Sequence, residues 1–124
     1  MVKSLLSKKR RSWRSRKLRV WATVGFVILL VHWLFVLVFL LPRLGQLSFF
    51  RLHYTAEYGV DWIGNWYYIF TFPALGLVFH LLNGFVSDRL SSQYRLFSEM
   101  IVQSTVFLQI AFAAAGVMAV LLNA

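Results

Sequence analysis

Two of the three histidines lie inside long apolar segments, where a polar side chain is unusual. His32 falls in the uncharged run 20–41, and His80 falls in the uncharged run 66–86. A polar group left unpaired in hydrocarbon is costly, so each histidine should face a partner helix or a cavity. The chemistry open to them is a proton or ion relay, or hydrogen bonding between helices. We favour hydrogen bonding, because neither run contains an Asp, Glu, Lys or Arg and pumps usually need one.

Other polar side chains in the apolar runs predict two polar layers. Counting along each helix axis puts His32 and Gln109 at similar depths, so we expect them to meet near the middle of the membrane. His80 and Asn83 come later in their run and should form a second layer, with Gln103 of the third run at a comparable depth. Both layers would tie the helices together through hydrogen bonds.

A third set of polar residues lies between the first two apolar runs. As a helix, the spacing of His53, Glu57 and Asp61 would put three potential metal ligands on one face. Gly59 interrupts such a helix, however, and the further ligands that a catalytic metal needs are missing. We therefore predict structural roles, in which Asp61 caps a turn or the start of the second helix and His53 and Tyr54 anchor the segment at the interface.

The chain has no residue pattern that indicates catalysis. Without cysteine it cannot form disulfides, thiolate metal sites or a Cys nucleophile. It also has neither a nucleophile paired with a base nor a phosphate-binding glycine loop. We predict no catalytic residue, no metal and no cofactor, in a protein that is not an enzyme.

Three apolar runs, 20–41, 66–86 and 100–122, must position these side chains, and none of the three contains a charge. Each is long enough as a helix to cross about 30 Å of hydrocarbon. A soluble domain of 124 residues that is 60% apolar would lack the interior to hide its apolar surface. We predict an all-α, integral membrane three-helix bundle over 20–124.

Nine of the thirteen Lys and Arg residues fall in 1–19, directly before the first run. Because basic residues beside a span stay on the cytoplasmic side, 1–19 is predicted to be a cytoplasmic tail that also binds anionic lipid headgroups. Three spans then put eleven basic residues inside and two, Arg43 and Arg51, outside. We predict a multi-pass protein of the plasma (inner) membrane with its N-terminus in the cytoplasm and its C-terminus outside. Nucleic-acid binding is not expected, because the tail lacks interleaved aromatic residues beyond Trp13.

The segment from Phe49 to Tyr68 is dense in aromatic residues with polar residues among them. This composition is typical of the headgroup layer, so we predict a re-entrant or interfacial segment on the outer face. Its string H-Y-x4-G-x-D-x2-G-x-W-Y resembles a motif of small, uncharacterised multi-span membrane proteins predicted in candidate-phylum bacteria of reduced genome. The positions that carry the resemblance are His53, Tyr54, Gly59, Asp61, Gly64, Trp66 and Tyr67. The resemblance implies a multi-span membrane protein and no particular activity.

Small residues in the second and third runs predict where helices pack. Gly76 and Gly84 lie toward one side of the second helix, and Ala111 and Ala115 repeat at a four-residue step on the third. Such strips let backbones approach closely, either within one chain or between chains. We therefore expect a homo- or hetero-oligomer formed through these two spans.

The function that these features favour is that of a structural or accessory component of a membrane assembly. The alternative is a homo-oligomeric pore, a transporter subunit or a holin-like protein. Three short helices line a path only when several copies assemble, so the stoichiometry of the native complex distinguishes the two.

Overall fold

The computed structural model describes residues 15–46 and 48–124. Its main elements, in chain order, are helix α1 (Arg16–Leu40), strand β1 (Phe50–Thr55), strand β2 (Gly59–Gly64), helix α2 (Thr71–Leu90) and helix α3 (Arg95–Leu121). Short 3-10 helices follow α1 at Leu41–Arg43 and precede α2 at Trp66–Phe70. Most of the predicted basic tail, residues 1–14, lies outside the described residues, so its binding to lipid stays a prediction.

Among the described residues, three helices are long and apolar enough to cross a membrane, which confirms the predicted membrane bundle and indicates a multi-pass membrane protein. The helix ends differ from the ends of the apolar runs. Helices α1 and α3 begin at Arg16 and Arg95, before the first uncharged residue of each run. An uncharged run marks the part of a helix that suits hydrocarbon, and a helix can continue beyond it with charged residues. Helix α2 begins late, at Thr71, because the first residues of its run form a 3-10 helix.

Helix α3 lies at the centre of the bundle and packs along both α1 and α2, which contact each other much less. Its buried side consists mainly of small, β-branched and polar residues: Ser98, Val102, Thr105, Val106, Gln109, Gly116, Ala119 and Val120. Small side chains let the neighbouring backbones come close. The outward faces are apolar, with Leu34 61% and Phe107 71% exposed. An apolar surface of this extent is stable only against lipid or another apolar surface.

The aromatic segment between α1 and α2 contains an antiparallel β-hairpin, a small sheet that the sequence did not predict within the helical bundle. Gly59 follows the loop 56–58 and has a φ of +72°, a left-handed conformation that glycine adopts without a Cβ clash. Loops of about three residues that end in such a conformation are common in hairpins. The hydroxyl of Thr55 accepts a hydrogen bond from the backbone N–H of Tyr58 at 3.3 Å, which closes the loop. The location of the segment in the headgroup layer stays a prediction.

Strand β1 fixes the hairpin to one end of the bundle, which we name the hairpin end. Phe50 and Leu52 are 2% and 1% exposed. They belong to a buried apolar cluster, named the hairpin-end cluster, whose other members are Val36, Leu40, Ile69, Phe72, Ala119 and Val120. Because these residues come from all three helices and the hairpin, the cluster closes this end of the bundle. The opposite end, where residues 91–94 connect α2 to α3, is named the turn end.

The side chain of Asn123 fastens the outer edge of β1. The backbone N–H of Arg51 donates to Oδ1 of Asn123 at 2.9 Å, and Nδ2 of Asn123 donates to the carbonyl oxygen of Arg51 at 2.6 Å. The same Nδ2 donates to the carbonyl oxygen of Ala119 at 2.7 Å. The amide therefore forms the pair of hydrogen bonds that a residue of a neighbouring strand would form, and it ties the hairpin to the end of α3.

Candidate functional site

The polar interior of the bundle has a cyclic arrangement, in which each helix places one polar side chain against a glycine of another helix. The three pairs are His32 of α1 on Gly116 of α3, Gln109 of α3 on Gly76 of α2, and His80 of α2 on Gly25 of α1. We name His32, Gln109 and His80 the seated residues. Gly116 and Gly76 make room for the ring of His32 and the amide of Gln109 because they have no Cβ, whereas a Cβ at Gly25 would be in ordinary van der Waals contact with His80.

Gln109 of α3 contacts α2 at Gly76. The side chain is fully buried, and its Nε2 donates a hydrogen bond to the carbonyl oxygen of Gly76 at 2.7 Å. A Cβ at position 76 would lie 2.6 Å from Oε1 of Gln109, so a larger residue there would displace the amide. This Oε1 has no hydrogen-bond partner among the described residues. Gly76 thus lies at a close contact between two helices of one chain.

His32 is 3% exposed, and its ring lies directly against Gly116. Within the part of the chain that the structure describes, neither ring nitrogen has a hydrogen-bond partner. The hydrogen bond expected between His32 and Gln109 is not formed, because Gln109 donates to α2 instead. Gly116 lies about 10 Å farther along α3 than Gln109. The position of His32 along its apolar run gives its depth in the membrane, but it does not show which glycine of another helix has space for the imidazole ring.

Asn83 contributes to a polar contact nearer the turn end, with a partner other than the one expected. Its Nδ2 donates to Oγ1 of Thr105 at 2.9 Å, and that hydroxyl donates to the carbonyl oxygen of Ile101 at 2.9 Å. Gln103 is only partly buried and, in the described structure, makes no hydrogen bond to Asn83. The sequence did not single out Thr105, because a threonine hydroxyl often bonds to a carbonyl of its own helix, as that of Thr105 does to Ile101.

Ser87 and Ser98 join α2 to α3 closer still to the turn end. Their Oγ atoms lie 2.6 Å apart, and Oγ of Ser98 donates to the carbonyl oxygen of Ser87 at 2.9 Å. Both side chains are buried. Ser98 precedes the third apolar run, so it is not among the polar residues that the uncharged runs contain. From the turn end, polar contacts thus continue along α3 until the hairpin-end cluster replaces them.

A cavity of about 40 Å³ lies beside His80 between the three helices, and we name it the His80 cavity. Its lining residues are Trp21, Ala22, His80, Gly84, Val102 and Thr105. Nδ1 of His80 is buried and has no partner among the residues that the structure describes. Gly84 was predicted to lie at a close helix contact. A Cβ added there would meet no described atom within 4 Å, so the glycine is not closely packed in this chain. Space therefore remains beside the glycine.

The alanine strip of α3 is divided between the inside and the outside of the bundle. Ala115 packs against the hairpin-end cluster, whereas Ala111 is exposed. The two alanines therefore do not share one contact surface with α1 or α2, although a step of four residues rotates by only about 40° around a helix. Ala115 therefore contributes to packing within the chain, and Ala111 lies on the outer face.

The helical face proposed for His53, Glu57 and Asp61 does not exist, because β1 and β2 form a hairpin. His53 and Asp61 meet across the strands, with Nδ1 of His53 2.7 Å from Oδ1 of Asp61, and Glu57 lies in the loop. Within residues 15–46 and 48–124 no group of three His, Cys, Asp or Glu side chains could hold a metal ion. Asp61 links the two strands and does not cap a turn or a helix, which corrects that prediction.

The remaining residues of the aromatic motif lie around the hairpin. Tyr54 is 50% and Trp66 44% exposed, as an interfacial role requires. Gly64 ends β2, and a Cβ there would lie 2.7 Å from the ring of Tyr68. Glycine at this position therefore lets the 3-10 helix fold back against the hairpin. The ring centroid of Trp62 lies 6.1 Å from that of Phe72, at the start of α2.

A comparison with protein-family models, curated proteins and solved structures gives no significant match. Function is therefore inferred from the chemistry of this chain. Its three relevant features are a bundle whose interior polar groups pack against the chain itself, uncharged spans, and an exposed aromatic hairpin fixed to one end.

Proposed function

We propose that the protein is a structural or accessory component of a membrane assembly and that the hairpin is its contact element. The observation that carries this proposal is the firm attachment of the hairpin. Phe50 and Leu52 are buried in the hairpin-end cluster, and Asn123 holds the edge of β1. An isolated hairpin is at best marginally stable in water, whereas this one is supported by three helices of its own chain.

The attached hairpin presents large side chains that its own chain leaves uncovered. Tyr58 is 80%, Ile63 59% and Tyr54 50% exposed. Aromatic residues held by a rigid support are favoured at protein interfaces, since they bury a large area and lose little conformational freedom. A partner protein that meets the hairpin at the membrane surface would cover them.

The proposed orientation puts the turn end in the cytoplasm and the hairpin outside, in the plasma (inner) membrane. The basic residues described near the turn end are Arg16, Lys17, Arg19, Arg89 and Arg95, and those near the hairpin end are Arg43 and Arg51. The guanidinium of Arg95 donates to Oγ of Ser15 at 3.3 Å, so the starts of α1 and α3 lie together. The basic tail is continuous with this end and supports the same orientation through anionic lipid.

A homo-oligomeric pore, transporter subunit or holin-like protein is the second proposal, and the exposed face of α3 around Ala111 favours it. That small residue, with apolar neighbours such as Phe107, would let the helix of another copy approach closely. The seated residues argue for the first proposal, because His32 and Gln109 face the interior of one chain. Copies that met through their outer faces would therefore enclose an apolar path.

Native mass spectrometry of the full chain, extracted in mild detergent, tests the two proposals. We expect recovery with unrelated subunits at a fixed stoichiometry, whereas a single ring of identical chains would support the pore. Ile63→Ala should release those subunits. Val78→Ala is the matched control, because Val78 is 49% exposed on the outer face of α2. If both variants retain the same subunits as the unmodified chain, the hairpin is not the contact element.

A further inference from the structure

The two outer edges of the hairpin differ, because the chain covers the edge of β1 and leaves that of β2 open. On β1 the backbone N–H and C=O of Arg51 both point outward and bind the side-chain amide of Asn123. Opposite residues of an antiparallel pair either exchange both backbone hydrogen bonds or make none with each other. Arg51 lies opposite Ile63 of β2. The N–H and C=O of Ile63 therefore also point away from the partner strand, toward the outer edge of β2.

The outer edge of β2 has no partner at Ile63. Within the described residues, no backbone group outside the hairpin bonds to the N–H or C=O of Ile63, and its side chain is 59% exposed. The register shifts of the hairpin lie on either side of His53 and leave the consecutive pairs Phe50–Gly64 and Arg51–Ile63 intact. Strand β2 also lacks the Lys and Pro residues with which many proteins protect an exposed edge from pairing.

We propose that the open edge of β2 binds an extended segment of another subunit as a third strand of the sheet. The covered edge shows what such outward groups bind in this protein. Asn123 satisfies Arg51 with a carboxamide, which presents the same donor and acceptor as a peptide backbone. Strand addition to a free sheet edge is a recurrent mode of recognition, in which the backbone gives affinity and alternate side chains give specificity. The inference rests on the proposed function, because it specifies how the hairpin contacts its partner.

The side chains on the outer face of β2 indicate the chemistry of the bound segment. Asp61 and Ile63 are two positions apart and lie on one face of the sheet, whereas Trp62 faces Phe72 and the bundle. The carboxylate of Asp61 contacts His53 through Oδ1 and is 36% exposed. Because directly opposite side chains of neighbouring strands interact, the segment should carry a β-branched or aromatic residue opposite Ile63. A basic residue two positions away should face Asp61.

Amide hydrogen exchange, resolved to single residues by mass spectrometry, tests the proposal. The full chain in its native assembly, isolated in mild detergent, is compared with the full chain produced alone. We expect the Ile63 amide to exchange at least about tenfold more slowly in the assembly, the factor that one net hydrogen bond supplies. The Arg51 amide is the internal reference, because Asn123 binds it in both samples. Equal exchange at Ile63 in an assembly that retains its other subunits would overturn this inference and leave the proposed function standing.

A backbone variant separates the amide from the side chain. The α-hydroxy analogue of isoleucine at position 63 replaces the N–H with an ester oxygen and keeps the side chain, and the pairing with β1 does not use this N–H. It should weaken subunit binding about tenfold. Ile63→Val, the matched control, keeps the N–H and should bind as the unmodified chain does. Slow exchange at Arg51 shows that the hairpin is folded in each variant.

Three results would overturn the proposal. One is unchanged subunit binding by the folded ester variant. Another is protection of Ile63 in a homodimer that contains no other subunit, since β2 of a second copy would then be the added strand. Recovery of the chain without any other subunit would refute the proposed function, and this inference with it.

Discussion

Replacing Gly116 by alanine should destabilise the bundle, although alanine is the better helix former. A Cβ at position 116 would overlap Nε2 of His32 and would lie 3.0 and 3.1 Å from two ring carbons. The whole imidazole must therefore move, in a site where it is 3% exposed. Forcing an extra methyl group into a packed interior costs about 1–3 kcal/mol.

Gly84→Ala is the matched comparison, because Gly84 lies in a helix interior as Gly116 does and an added Cβ meets no described atom within 4 Å. In each variant the change from glycine to alanine favours the helix by about 1 kcal/mol. This gain cancels when the two variants are compared. Gly84→Ala should consequently unfold with a free energy about 1–3 kcal/mol higher than that of Gly116→Ala, or roughly a five- to 150-fold difference in the unfolding equilibrium constant.

The assay is reversible unfolding in mixed detergent micelles, followed by circular dichroism or by a fluorescence change of the tryptophans. A double-mutant cycle isolates the contact, since His32→Ala should remove most of the penalty of Gly116→Ala. Equal stabilities of the two glycine variants would refute the seating of His32 on Gly116. So would an unchanged penalty in the His32→Ala background.

Three further predictions concern the hairpin and the orientation. Asn123→Ala should cost about 1–2 kcal/mol and speed hydrogen exchange of the β1 amides, because it removes two hydrogen bonds to the strand edge; unchanged exchange would contradict this role. Asp61→Asn should change stability by less than about 1 kcal/mol, since its contact with His53 is exposed, and added zinc should not raise the melting temperature of the unmodified chain. Cysteines at Ser48 and Ser92 should react from opposite sides of the membrane, with Ser48 accessible to an impermeant reagent outside; the reverse pattern would invert the proposed orientation.

The three helices could be predicted from the sequence because hydrocarbon imposes one requirement on every residue of a span. The uncharged runs 20–41, 66–86 and 100–122 each correspond to a helix long enough to cross. The hairpin could not be predicted in the same way. Its aromatic residues suit both a headgroup layer and a strand, and its strand pairing depends on support from Phe50 and Leu52, whose burial is set by tertiary structure.

The sequence predicts that polar side chains of the spans face the interior of the bundle, but it does not predict which groups they contact there. Hydrocarbon favours inward positions for His32 and Gln109, and the structure buries both. Which backbone each side chain meets depends on the rotation and tilt of the helices, and the spacing of residues along one helix does not contain this information. Nothing in the sequence identifies Gly116 as the seat of His32.

The central position of α3 determines the order in which the chain can assemble. The glycine that accepts His32 and the glutamine that bonds to Gly76 both lie on α3, so α1 and α2 enter the membrane before their principal partner has been made. Gly116 follows His32 by 84 positions. Ribosomes add about 5–20 residues per second, which leaves the imidazole without its seat for about 4–17 s. The contacts that α1 and α2 make with α3 therefore form only when the third helix arrives, and until then the first two helices have only their smaller contact with each other, which includes His80 against Gly25.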